Sequence, residues 1–186
     1  SSCTGAMHLT LQKMGIGPGD EVIIPDITWI ATASVVTYVG AKPIFVDIEK
    51  DTWCIDPISI KKSITPNTKA IMPVHLYGHP ANMDEIQDIS KENNLLVLED
   101  AAPSLGSEFN GKKTGSFGNA SAFSFQGAKI ATSGEGGMFL TNDSSLYENV
   151  SKIGDHGCSL TKSLWNDEIG YKYKMSNIQA ALGLAQ

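Results

Sequence analysis

Asn94-Leu-Leu-Val-Leu-Glu-Asp100 is the stretch from which the fold is read. Four aliphatic residues in succession, with no polar residue between them, fit a strand covered on both faces. That is the condition of a parallel sheet flanked by helices. The run closes on two acids, so Asp100 is delivered at the carboxyl end of the strand. A second run, Ser121-Ala-Phe-Ser-Phe125, is followed by Lys129 and by the glycine-rich stretch Thr132-Ser-Gly-Glu-Gly-Gly137. Working outward, strands are expected at 21–25, 43–48, 69–75, 95–99, 120–125 and 137–141. Helices are expected at about 4–14, 28–39, 57–64, 82–93, 144–153 and 176–185. Asn82 is placed to cap one helix, with Glu85 three residues on as a capping box, and Ser176 to cap the last. Strand and helix alternate, which gives an α/β fold: a mostly parallel sheet with crossover helices. The stretch 154–170 reads as an irregular loop.

Composition bounds the function. The chain has 186 residues, 41% of them hydrophobic, and a formal net charge of -6. That is enough for one sizeable core and argues against disorder. The acidic balance gives no reason to expect nucleic-acid binding, and an anionic ligand must be held by local donors. Cys3, Cys54 and Cys158 are odd in number and far apart. They form no Cys-x-x-Cys pair, so no metal site is expected, and a reduced, cytoplasmic setting is the economical reading. No long uncharged apolar stretch suggests a membrane span. Both ends read as cut, since an apolar helical pattern starts almost at Ser1 and the last helix stops without a cap. The expectation is a single domain, 1–186, taken from a longer protein.

In an open α/β sheet, ligands collect at the carboxyl ends of the strands. A carboxylate (Asp100) and an amine (Lys129) delivered there are what pyridoxal 5'-phosphate needs. The lysine forms the Schiff base, and the acid pairs with the pyridinium nitrogen so that the ring accepts electrons. The start of the first helix, with Thr4 and Gly5, suits a phosphate, and equally reads as a plain cap. Ser124 alternates with Phe123 and Phe125 and so lies on the other face; it either satisfies itself or donates to phosphate. Trp29 is a ring-stacking aromatic or a core tryptophan. His75 ends a strand and His156 lies in a Gly-rich turn; each is a substrate contact or a hydrogen-bonded structural histidine. Gly15-Ile-Gly-Pro-Gly19 looks like a dinucleotide fingerprint, but it follows a helix and precedes a strand, the reverse of the required order. No Gly-x-Ser-x-Gly elbow is present, which removes the common hydrolase reading.

Several segments together resemble the DegT/DnrJ/EryC1/StrS aminotransferases, pyridoxal-phosphate enzymes that aminate nucleotide-linked keto sugars. They are Gly15-Ile-Gly-Pro-Gly-Asp-Glu-Val-Ile-Ile-Pro25, Gly40-Ala-Lys-Pro-Ile-Phe-Val-Asp47, Thr68-Lys-Ala-Ile-Met-Pro-Val-His-Leu-Tyr-Gly78, Leu98-Glu-Asp-Ala-Ala102, Phe123-Ser-Phe with Lys129, Gly134-Glu-Gly-Gly137 and Met175-Ser-Asn-Ile-Gln-Ala-Ala181. Within the family the chain is similar to perosamine-synthase-like members, which act on a GDP-linked 4-keto-6-deoxy sugar. The resemblance implies the large domain of fold type I, as in aspartate aminotransferase, in a homodimer whose sites are completed by the partner. It implies a missing segment before Ser1 and a missing small domain after Gln186. It makes Lys129 the Schiff-base lysine, Asp100 the acid on the ring nitrogen, Trp29 the stacking aromatic, and Thr4, Gly5 and Ser124 phosphate ligands. Tyr77, His75 and His156 are the residues expected near a nucleotide-sugar, and glutamate or glutamine is the expected amino donor.

Two stretches depart from the family pattern. Pro103 stands where the family has a polar residue near the cofactor's phenolic oxygen. Lys172 and Lys174 stand in the stretch that carries an Asn crossing to the partner's phosphate; a lysine can replace it as a point charge. The rival readings are a sugar dehydratase of the same family, which carries His in place of the lysine, and a non-catalytic regulatory or inert relative.

Overall fold

The computed structural model describes residues 1–159 and 161–186. Its strands are β1 (Glu21–Pro25), β2 (Lys42–Val46), β3 (Thr68–Ile71), β4 (Leu96–Asp100), β5 (Glu108–Phe109), β6 (Lys112–Lys113), β7 (Ala120–Ser124) and β8 (Gly137–Thr141). Its helices are α1 (Cys3–Lys13), α2 (Ala31–Tyr38), α3 (Pro57–Ser63), α4 (Met83–Glu92), α5 (Ser144–Gly154) and α6 (Asn177–Leu184), with a 3-10 turn at Leu76–Gly78. Six strands form one sheet in the order β2-β1-β3-β4-β7-β8; β5 and β6 form a separate hairpin. Every pairing from β2 to β7 is parallel, and β8 closes the edge antiparallel to β7. The expected α/β class, with a mostly parallel sheet and crossover helices, is therefore the observed one.

The pleat sorts side chains into two cores. Val22, Ile24, Ala70, Met72, Leu98, Ala120 and Ala122 face the layer of α1, α2 and α5. Ile23, Ile71 and Val97 face the layer of α3 and α4. By the same parity Asp100 and Ser124 fall on the α1/α2 side, and Glu99 and Phe123 on the other. The chain steps from β1 outward to β2 and then back across to β3. The carboxyl ends of β1 and β3 therefore flank the point where strand order reverses, the place where such sheets hold ligands.

Element ends differ from expectation for identifiable reasons. Strand β3 stops at Ile71 because Pro73 has no N–H for the ladder; pairing resumes only at an isolated bridge between Val74 and Asp100. Helix α2 starts at Ala31 rather than 28, since Thr28–Ile30 form its entry turn. Helix α1 starts at Cys3, with Ser2 as its cap, so Thr4 and Gly5 lie inside its first turn. It ends with Gly15 N–H on the Gln12 carbonyl and Ile16 N–H on that of Leu11, a Schellman end. Those glycines end the helix and turn the chain into β1. Asn82 does cap α4, but the Glu85 carboxyl accepts from the Asn82 side-chain amide (2.9 Å) rather than from its backbone. Ser176 and Gln179 form a complete capping box on α6. The hairpin β5–β6 was not expected; Asn110-Gly111 between the strands, with Asn110 at φ 50, is its signal. Among the described residues no helix is long and apolar enough to cross a membrane.

Leu98 is fully buried at the centre of the sheet, whereas Phe45 on edge strand β2 is 53% exposed. Leu98→Ala is expected to cost about 2–5 kcal/mol, and Phe45→Ala less than about 1 kcal/mol. Urea unfolding of the two variants measures the contrast; equal losses would show that the two-layer core is drawn wrongly.

Candidate active site

The carboxyl edge of the sheet gathers the residues singled out by the sequence. Asp100, the last residue of β4, is 5% exposed. Its Oδ2 accepts from the Thr32 hydroxyl of α2 at 2.8 Å, and its Oδ1 from the Ala102 N–H at 3.2 Å. Burial pushes its carboxyl above the usual carboxylate range; the Thr32 hydroxyl, the Ala102 N–H and the nearby charge of Lys129 pull the other way. Lys129 lies in the loop after β7, with its N–H on the Gln126 carbonyl at 2.9 Å. Cys3, at the start of α1, feels both groups. Burial raises its thiol well above the ordinary value, Asp100 adds to the rise, and Lys129 opposes it. Asp100, Lys129 and the beginning of α1 thus share one neighbourhood.

The first turn of α1 is the candidate anion site. Ser2 Oγ accepts from the Gly5 N–H at 3.0 Å. The N–H groups of Cys3 and Thr4 meet no protein acceptor among the described residues. A free pair of N–H groups at the positive end of an eleven-residue helix suits a phosphate. Ser124, buried, offers a hydroxyl whose one partner among the described residues is a 3.4 Å contact from the Gln126 N–H. A Cβ on Gly5 would come 3.0 Å from the Tyr173 ring, so its small size makes room for that ring. A Cβ on Gly137 would overlap the Ser2–Cys3 backbone, so the start of β8 presses directly on the helix start and fixes it.

The aromatic and histidine candidates divide. Trp29 is 78% exposed, on the loop between β1 and α2, and is no core tryptophan. Tyr77 is 86% exposed beside it in strand order, on the turn after β3. It holds φ 53, a left-handed conformation that a bulky residue adopts only when its surroundings impose it. His75 is corrected: it is fully buried and presents no ring nitrogen to a ligand. Its Nδ1 accepts from the Ala81 N–H at 3.1 Å and its Nε2 lies 3.0 Å from Glu99. Glu99 also accepts the N–H groups of Gly115, Phe117 and Gly118 at 2.6–2.7 Å. Strand parity explains this, because residues 71, 73 and 75 share the face of Glu99, opposite Asp100. His156 is exposed at φ 61, its N–H on the Tyr171 carbonyl. No contact ties it to Asp100 or Lys129 among the described residues. Nearby, Lys174 pairs with Asp155 at 2.8 Å, while Lys172 reaches only the Lys174 carbonyl at 3.4 Å. Thr32 was missed by the sequence reading; no local signal separates it from any other helix threonine.

The DegT/DnrJ/EryC1/StrS aminotransferase family model matches residues 1–186. The chain belongs to that family. This family member is 49% identical over 186 residues to the GDP-perosamine synthase of Escherichia coli O157:H7, covering 100% of the chain and 51% of that relative. An aminotransferase from Psychrobacter cryohalolentis superposes on all of the chain with a TM-score of 0.95 at 38% identity, the match spanning 50% of that structure. NtdA from Bacillus subtilis, solved with bound cofactor PMP, gives a TM-score of 0.93 at 36% identity over 99% of the chain and 42% of its own. The chain spans about half the length of the relatives it matches.

His75→Gln keeps a donor for Glu99 and an acceptor for the Ala81 N–H, and is expected to lose less than about 1 kcal/mol. His75→Leu strands both partners and is expected to lose about 2–3 kcal/mol. Denaturant unfolding decides; equal losses would show that the two hydrogen bonds do not hold this corner together.

Proposed function

We propose that this chain is the large, cofactor-binding domain of a sugar aminotransferase that uses pyridoxal 5'-phosphate. The observation that carries the reading is a buried acid at the end of β4 that feels the charge of Lys129 from the loop after β7, with the start of α1, whose first N–H groups are free, in the same neighbourhood. The donor set fits the cofactor at both ends. The N–H groups of Cys3 and Thr4, with the Thr4 and Ser124 hydroxyls, would hold its phosphate. Asp100 would hold the proton on its ring nitrogen, and exposed Trp29 would cover a ring face. When bound, the cofactor supplies an electron sink for the carbon that loses its proton. Asp100 sits in a buried, low-dielectric place, where a fixed charge acts strongly on that ring. The Lys129 amine would bind the cofactor covalently and carry the proton to and from the reacting carbon. The similarity to a GDP-perosamine synthase supports a GDP-linked 4-keto-6-deoxymannose as acceptor, with glutamate or glutamine as donor. Tyr77, the most exposed of the singled-out aromatics, would meet that substrate, and His156 would meet it from a neighbouring protomer. A homodimer in the cytoplasm, with Lys172 extended toward the partner's phosphate, completes the reading.

The test uses the full-length protein with glutamate and a panel of keto-sugar nucleotides. Amination of a nucleotide-sugar is the expected result; product from a simple 2-keto acid alone would remove the substrate class. Lys129→Ala is expected to abolish turnover and the visible-edge absorbance that pyridoxal phosphate gives with the wild type. Retained turnover would sink the role. Asp100→Asn keeps the shape and removes the charge, and is expected to lower kcat by about 100-fold or more at saturating cofactor. An unchanged kcat there would contradict the assignment of the ring-nitrogen partner.

A further inference from the structure

Behind Asp100 stand two threonines, one turn apart at the start of α2. Thr32 is fully buried and donates its hydroxyl proton to Asp100 Oδ2 at 2.8 Å. Its oxygen lies 3.0 Å from the hydroxyl oxygen of Thr28. A hydroxyl has one proton. With that of Thr32 committed to the carboxyl group, the proton between the two threonines must come from Thr28. The direction of the chain is therefore set: Thr28 Oγ1–H to Thr32 Oγ1, and Thr32 Oγ1–H to Asp100 Oδ2. Each bond polarises the next, and in a buried place that strengthens both.

We infer that Thr28 and Thr32 are positioning residues, two hydroxyls donating in series that fix the Asp100 carboxyl in one orientation for the ring nitrogen of a bound pyridine cofactor. The Ala102 N–H holds the other oxygen, so rotation of the group is blocked from both sides while each oxygen keeps a lone pair. The inference rests on the reading of the site given above. It also gives the hydroxyls a second task. Burial disfavours the charge on Asp100, and the Thr32 hydroxyl is the largest of the contributions that favour it. The titratable groups around Asp100 are Cys3 from α1, Lys129 from the loop after β7, and His75 beyond β3; α2 supplies only hydroxyls. Burial keeps Cys3 a thiol through neutral pH, and His75 is engaged by Glu99 and Ala81.

The sign of the pH effect follows. Asp100 is raised above its unfolded value, so its contribution to stability is full below about pH 3.8 and is lost as pH rises through its folded value. Removing the Thr32 hydroxyl moves that value further up and enlarges the loss at neutral pH. The test compares wild type, Thr32→Val, Thr32→Ser and Thr28→Val in the full-length protein. Two readouts are used: the dissociation constant of pyridoxal phosphate from absorbance, and melting of the cofactor-free protein from pH 4 to 8. Thr32→Val is expected to bind about tenfold more weakly, with a melting deficit that widens as pH rises. Thr32→Ser is expected to restore binding to within about threefold, and Thr28→Val to show about a twofold loss in the same direction. A Thr32→Val protein with wild-type affinity and a pH-independent deficit would overturn the inference while leaving the proposed function intact. If the wild type itself gives no absorbance change, the reading of the site fails instead. The melting profiles then still decide whether the hydroxyls act on the charge of Asp100.

Discussion

A carboxyl group taken out of water must be held, or it takes up a proton. Asp100 is in that position. Its burial pushes it toward the neutral form, and two local donors with a nearby lysine push it back. Much of the surrounding architecture can be read as the means of arranging that balance. Strand β4 lies beside β3, so Asp100 emerges next to the carboxyl ends of β1 and β3. The first turn of helix α2 reaches it with the Thr32 hydroxyl. The loop after β7 brings the charge of Lys129 near it, and the start of α1 stands close by at Cys3.

The opposite face of β4 does separate work. Glu99 gathers three backbone N–H groups and His75, tying the turn at 115–118 to the segment after β3. Adjacent residues of one strand thus have different duties, and the pleat alone assigns them. Glu99 fixes the end of the strand, and that fixed end holds the backbone from which Asp100 projects. The glycine at 137 extends the same rigidity to the start of α1, because β8 lies directly on the Ser2–Cys3 backbone.

Asp100 and Lys129 were legible because each follows an apolar run long enough to be a buried strand, and strand ends of this fold class face a common crevice. The sheet, the six helices and the Ser176 cap were legible for similar local reasons. What escaped depends on contacts remote in sequence. Thr32 lies 68 residues from Asp100, and only the tertiary packing of the start of α2 near the end of β4 joins them. The packing of the Tyr173 ring on Gly5 escaped too, because it follows a return of the chain that no local pattern announces. His75 was recoverable: counting parity from Ile71 puts it with Glu99, away from Asp100. The β5–β6 hairpin was recoverable too, from Asn110-Gly111.

The most direct measurement is a crystal structure of the full-length protein with pyridoxal 5'-phosphate. The expected result places the ring nitrogen about 2.6–3.2 Å from an Asp100 oxygen, the cofactor bonded to the Lys129 nitrogen, and the phosphate on the Cys3 and Thr4 N–H groups. A cofactor bound elsewhere, or in the crevice with its phosphate away from α1 and its ring nitrogen facing solvent, would contradict the assignment of Asp100 and of the site built around it.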